Sequence, residues 1–197
     1  MGVASHLDSA LTRHPIPHPP SSSLKPCHSQ QPNAATQAAF TEQWMHLLLA
    51  YARHRGIFIL RIEDAEVTGG GEWDEVLRNP RINRKLKSTQ LADIIGTMVR
   101  MNLAVYEPPK QMRAVLLYWR LPEEWAEVLH EWATKTGQLN TILTFYEISN
   151  PPVPSAFSGA PESLLRSAIA ILAKGGRAQL ISISDGDGVR FFSRTTK

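Results

Sequence analysis

Four glutamates and one histidine crowd into "PEEWAEVLHEW", Pro122 to Trp132, and carboxylates beside an imidazole are common equipment for general acid–base catalysis. Helical spacing argues against that use. Trp125, Val128, Leu129 and Trp132 recur at i, i+3, i+4 and i+7, so they form the buried stripe of a helix. Glu123, Glu124, Glu127 and Glu131 fall outside it. Glu123 and Glu124 suit the positive end of that helix, and the others are expected to be solvated. His130 borders the solvated face, and no nucleophile stands in a recognisable motif around it.

Other residue types capable of chemistry fail on spacing in the same way. His6, His14, His18, His28 and Cys27 are all metal-ligating types, yet their intervals match no ligand template. Cys27 is the single cysteine, which excludes an intramolecular disulfide and a Cys-built zinc site and fits a reducing compartment. Gly69, Gly70 and Gly71 lack the Lys-Ser/Thr and the helix start that a phosphate loop needs. "DGDG" at 185–188 reads as a hairpin turn, because the remaining ligands of a calcium loop are missing. No serine elbow or His-Glu-x-x-His pair is present. The expectation is a protein that is not an enzyme and holds no cofactor or metal.

The elements around these residues fall into an arm and two similar halves. Residues 1–35 hold six of the fourteen prolines and four of the seven histidines, with few large apolar residues to repay the entropy of folding; they read as a disordered Pro/His-rich arm. From residue 36, Phe40, Trp44, Leu47, Leu48 and Tyr51 mark one helix face ending before Gly56. "IFILRIED" is a short strand. "NPRINRKL" opens on an Asn-Pro helix signal, and Ser88 caps a further helix carrying Leu91, Ile94, Ile95 and Met98. "LAVYEPPKQMRAVLLYW" is strand, Pro-Pro turn and strand.

The order then repeats. A helix starts at Pro122, "TILTFYEI" is a strand running into a helical turn, and Leu165, Ala168, Ile169 and Leu172 mark a helix stopped by Gly175 and Gly176. "AQLISIS", the Asp-Gly turn and "VRFF" make a closing hairpin. Helix, strand, two helices and a hairpin is the winged-helix order. The fold class expected is α/β of the α+β kind: two tandem winged-helix domains, 36–120 and 121–197, after the arm. Trp119, Arg120, Pro122 and Trp125 form the joint, where so short a link should hold the domains in line.

Two functions suit such modules. Lys and Arg number 21 against 18 Asp and Glu, a mild excess that favours acidic partners without establishing them. Arg81, Arg84, Lys85 and Lys87 could meet phosphates, so a winged-helix nucleic-acid-binding protein is the alternative. The second half argues for protein interaction instead, since Asp185 and Asp187 in its wing would repel a phosphate backbone. No apolar run approaches the roughly 18 to 20 residues that span a bilayer. The start of the chain lacks the apolar core of a secretory signal, and "MGVASH" misses the myristoylation pattern. A soluble, cytoplasmic protein is expected.

"WRLPEEWAEVLHEWATKTGQLNTILTFYEI" and "LISISDGDGVRFF", with "NPRINRKL" and "QPNAATQAAFTEQW", resemble the vacuolar protein sorting-associated protein 25 family, the small subunit of the endosomal ESCRT-II complex. The likeness runs from about Leu24 to Phe192. It implies a non-enzymatic adaptor, two copies of which join two larger ESCRT-II subunits, with membrane association indirect through the complex and no nucleic acid. The first domain and the arm would dock on the larger subunits. The second domain would bind the N-terminal helix of an ESCRT-III subunit, nucleating ESCRT-III on endosomes for sorting of ubiquitinated cargo into multivesicular bodies. Candidate residues for that helix are Phe145, Tyr146, Arg166 and Lys174.

The arm departs from the family's pattern of two prolines, two aromatics, Thr, any residue, and Gln-Pro-Asn. Pro26 and Pro32 match it, while Cys27 and His28 stand at the aromatic positions. Two absent aromatic anchors would weaken docking by on the order of 2 kcal/mol each.

Overall fold

The computed structural model describes residues 33–67, 69–183 and 186–193, with the backbone alone for 182, 183 and 186. The arm read over residues 1–35, including Pro26, Cys27, His28 and Pro32, lies outside the described residues up to Pro32.

Helix α1, Ala34–Arg55, begins where the Asn33 side chain accepts from the backbone N–H of Ala35 at 2.8 Å. It stops at Gly56, whose φ of 68° is left-handed and whose N–H returns to Ala52 O. The stripe Phe40, Trp44, Leu47, Leu48 and Tyr51 is buried as its spacing requires. Strand β1 (Ile59–Arg61), a 3-10 turn and the four-residue helix α2 (Asp74–Leu77) follow. Helix α3 spans Ser88–Arg100, and strands β4 (Ala104–Tyr106) and β5 (Ala114–Leu117) close the first half.

"NPRINRKL" is not a helix. Pro80 does open a helical turn, but a 3-10 one of three residues, because Asn83 turns left-handed at φ 48° and ends it. The segment is a miniature hairpin in which β2 (Arg78–Asn79) pairs antiparallel with β3 (Arg84–Lys85). Ser88 is the first residue of α3 rather than its cap; Lys87 holds the cap position, and its N–H is taken by the Gln90 side chain at 3.3 Å.

The second half repeats the plan with α4 (Pro122–Lys135), β6 (Ile142–Thr144), α5 (Phe145–Ser149), α6 (Glu162–Lys174), β7 (Ala178–Ile183) and β8 (Gly186–Phe191). Its sheet runs β6-β8-β7, matching β1-β5-β4 of the first half. The last pair of the closing hairpin is Ile183 with Gly186. Gly186, Asp187 and Gly188 of "DGDG" therefore belong to β8. The molecule is of the α+β class, and each half has the element order of a winged helix.

Two hydrophobic clusters underlie the halves. Trp44, Leu48, Tyr51, Trp73, Leu91, Ile95 and Val115 belong to the first. Trp125, Leu129, Phe157, Leu165, Ile169, Val189 and Phe191 belong to the second, and so do Phe58 and Leu116 from the first half. Strand periodicity explains this crossing. Val115 and Leu117 of β5 face the first core while Leu116 faces the second, so the first sheet is covered on both sides. "AVLL" shows no apolar–polar alternation for that reason.

Candidate protein-docking site

The connection β6–α5 is built by a capping box. Thr144 Oγ1 accepts from Glu147 N–H at 3.2 Å, and a Glu147 carboxylate oxygen accepts from Thr144 N–H at 2.7 Å and from its hydroxyl at 2.9 Å. The backbone N–H of Thr144, then its hydroxyl, hold the Glu147 carboxyl below its ordinary value. This cap fixes the two aromatics that follow it. Phe145 turns inward and is buried, whereas Tyr146 points out with 74% of its surface exposed.

Arg166, near the start of α6, lies over Phe145 with its guanidinium carbon 4.7 Å from the ring centroid. Its Nη2 donates to Asp187 of β8 at 2.7 Å, and its Nε donates to Glu162 at 2.7 Å. Those hydrogen bonds, Asp187 first, push the Arg166 pKa further up. The result is a charged, aromatic surface in which α5, α6 and the wing meet at one guanidinium. The Arg166 charge in it is paired with Glu162 and Asp187.

Phe145 and Arg166 thus come together, and Tyr146 follows Phe145 on the exposed side of α5. Lys174 does not join them. It is exposed at the far end of α6, eight residues from Arg166 and so about 12 Å along the helix. The sequence reading missed Glu162 and Asp187 as partners of Arg166. Glu162 was findable from its i, i+4 spacing, but Asp187 requires the hairpin register.

Trp119, Arg120, Pro122 and Trp125 also converge. The indoles of Trp119 and Trp125 meet edge to face at 4.8 Å, and Arg120 sits 5.1 Å from the Trp125 ring. Trp119 Nε1 donates to Ile57 O at 3.2 Å, which ties the joint back to the entry of β1. Pro122 occupies the first turn of α4, and Glu124 accepts from Leu121 N–H at 3.2 Å. Phe58 contributes a third ring, 5.6 Å from Trp119 and 5.9 Å from Trp125. Sequence reasoning read "IFILRIED" as a strand without singling out Phe58. The joint is aromatic packing between the halves.

Two residues of the opening glutamate–histidine set gain partners that spacing did not show, and one of them, His130, departs from the solvated position expected. His130 is buried, 8% exposed, with Nε2 2.7 Å from Phe192 O, so it ties α4 to the end of the last strand. Glu127 receives Arg177 in a bidentate pair at 2.6 and 2.8 Å, which fixes α4 to the start of β7. Both therefore serve structure. Among the described residues no group of His, Cys, Asp and Glu could hold a metal ion, and no helix is long and apolar enough to cross a membrane.

With this geometry in hand, the family model described as ESCRT-II complex subunit matches residues 23–153. The chain belongs to the ESCRT-II complex subunit family. The vacuolar protein-sorting-associated protein 25 of Danio rerio is 30% identical over 169 residues, covering 85% of this chain and 93% of that protein. Its Homo sapiens counterpart is 28% identical over 170 residues, covering 85% and 92%. The crystal structure of subunit VPS25 of the endosomal trafficking complex ESCRT-II superposes with a TM-score of 0.71 at 21% identity, over 87% of this chain and 97% of that one. A chain of the crystal structure of the endosomal complex ESCRT-II (VPS22/VPS25/VPS36) gives 0.69 at 20% identity, over 88% and 98%. These superpositions extend over both halves of this family member. The family match includes Pro26, Cys27, His28, Pro32, Phe145 and Tyr146, and ends before Arg166 and Lys174.

Proposed function

We propose that this chain is a non-enzymatic adaptor subunit of ESCRT-II, whose two modules, 36–120 and 121–197, have separate partners. The first module and the arm, through Pro26, Cys27, His28 and Pro32, dock on the two larger ESCRT-II subunits, two copies of the chain entering each complex. The second module binds the N-terminal helix of an ESCRT-III subunit, with Phe145, Tyr146 and Arg166 as the anchor and Lys174 at its margin. The complex, recruited from the cytoplasm to endosomal membrane, thereby nucleates ESCRT-III for sorting of ubiquitinated cargo.

One observation supports the second module as the helix-binding one: Tyr146 is exposed on a helix with a fully formed cap, next in sequence to a buried ring that Arg166 covers. An aromatic side chain with two rotatable bonds costs little entropy to bury, and Tyr and Arg are common hot spots. Titration of the full chain with an ESCRT-III N-terminal-helix peptide is expected to give saturable binding, weakened about thirtyfold by Tyr146→Asp. Equal affinity for the two proteins would remove Tyr146 from the interface, and absence of binding would remove the module's assigned role.

A further inference from the structure

Between α2 and α3 the chain projects the small hairpin that the Asn-Pro signal concealed. Its base is fixed. The Leu86 N–H donates to Leu77 O at 2.9 Å, Arg78 pairs with Lys85 and Asn79 with Arg84, and the Leu86 side chain is fully buried in the first core. Its tip is the 3-10 turn Pro80–Ile82, closed by left-handed Asn83.

Past that base everything faces solvent. Arg81, Arg84, Lys85 and Lys87 are exposed, and none of the four has an ion-pair partner among the described residues. Elsewhere the exposed arginines Arg113 and Arg166 are matched to carboxylates. At the tip, among those cations, Ile82 leaves 60% of its surface in water. Four uncompensated charges within seven residues create a local positive potential, and a large apolar side chain at the apex of a tethered hairpin contributes nothing to the core beneath it.

The combination discriminates between acidic partners. A nucleic-acid backbone would complement the cations but has no place for Ile82. The neighbouring helix also suits a groove poorly, because the exposed side of α3 carries Asp93 and Gly96, and its Arg100 is turned onto Thr97. An anionic bilayer supplies both complements: charged headgroups at the surface for the cations, and an acyl boundary a few ångströms below for the isoleucine.

We infer that the hairpin of residues 78–87 is a membrane-contact element that seats on anionic lipid with Ile82 entering the headgroup layer. It gives the chain a direct contact with the bilayer, independent of its docking partners. Each cation near an anionic surface strengthens partition about fivefold, so four make a weak contact that becomes effective when other membrane-bound parts of an assembly hold the chain nearby.

The test is co-flotation of the full chain with phosphatidylcholine vesicles and with phosphatidylcholine–phosphatidylserine vesicles. Flotation is expected with the anionic vesicles alone and should fall with added salt. Arg84→Glu with Lys85→Glu should lower the partition coefficient at least tenfold. Ile82→Ser should lower it several-fold while leaving any binding to duplex DNA unchanged. Thermal melts of these surface variants, expected to match the parent, separate loss of contact from loss of fold. The inference is overturned if the parent chain ignores anionic vesicles, or if the charge reversal leaves flotation intact and so assigns it to Arg13 and Lys25 of the arm. It is also overturned if Ile82→Ser is neutral while duplex DNA binds as strongly as lipid, which would make the hairpin a phosphate-backbone contact.

Discussion

Arg166 unites three elements with one planar group. Its ion pairs are exposed, and such pairs contribute little to stability, so their effect is to fix where the guanidinium lies. That distinguishes arginine from lysine at this position, because an ammonium is not a planar group that can lie over Phe145 while its N–H groups, Nε included, hold Glu162 and Asp187. Arg166→Lys is therefore expected to shift the melting temperature by no more than a few degrees yet weaken the ESCRT-III helix about tenfold in a calorimetric titration. Arg166 and Tyr146 were legible in the sequence as exposed residues of the second half. Their arrangement was not, because Asp187 reads as a turn residue until the pairing of Ile183 with Gly186 places it in β8. His130 shows the same gap between type and environment: its neighbours along α4 suggest solvent, and its burial comes from Phe192, distant in sequence.

At the scale of elements, helices with strong apolar periodicity and the three-residue strands β1, β4 and β6 were readable, and the two-residue strands were not. The stripes on α3, α4 and α6 recur over about two turns and that on α1 over about three, whereas β2 and β3 are two residues each and leave no pattern to detect. The Asn-Pro signal was correct for a single turn and uninformative about its continuation. α5 is the opposite case, a five-residue helix that depends on its cap. Because the folded state depresses the Glu147 pKa, ionised Glu147 stabilises the fold at pH values above its ordinary 4.5. That contribution disappears as pH falls through the lowered value. Glu147→Gln should thus lower stability at neutral pH by about 0.5 to 1 kcal/mol and flatten its acid dependence, measured by urea unfolding at several pH values.

The whole molecule is organised around a sheet that both cores use. β5 sends Val115 and Leu117 into one core and Leu116 into the other, and Phe58, Trp119 and Trp125 fill the seam. The sequence announced a joint through its tryptophans, but that the whole outer face of the first sheet belongs to it follows only from tertiary packing. Such continuity predicts that the two halves unfold together. Scanning calorimetry should show one transition for the parent chain, and Trp119→Ala, costing about 3 to 5 kcal/mol, should split it into two.

A rigid seam also suits an adaptor, since a partner held by one half is then presented at a fixed angle to a partner held by the other. The measurement that bears most directly on this is a bridging assay: immobilise the two larger ESCRT-II subunits, add the full chain, and read capture of the ESCRT-III N-terminal-helix peptide. Capture that requires the chain and drops at least tenfold with Tyr146→Asp, while the chain itself stays bound to the larger subunits, is the predicted result. Retention of the chain on those subunits with no capture of the peptide would contradict the account.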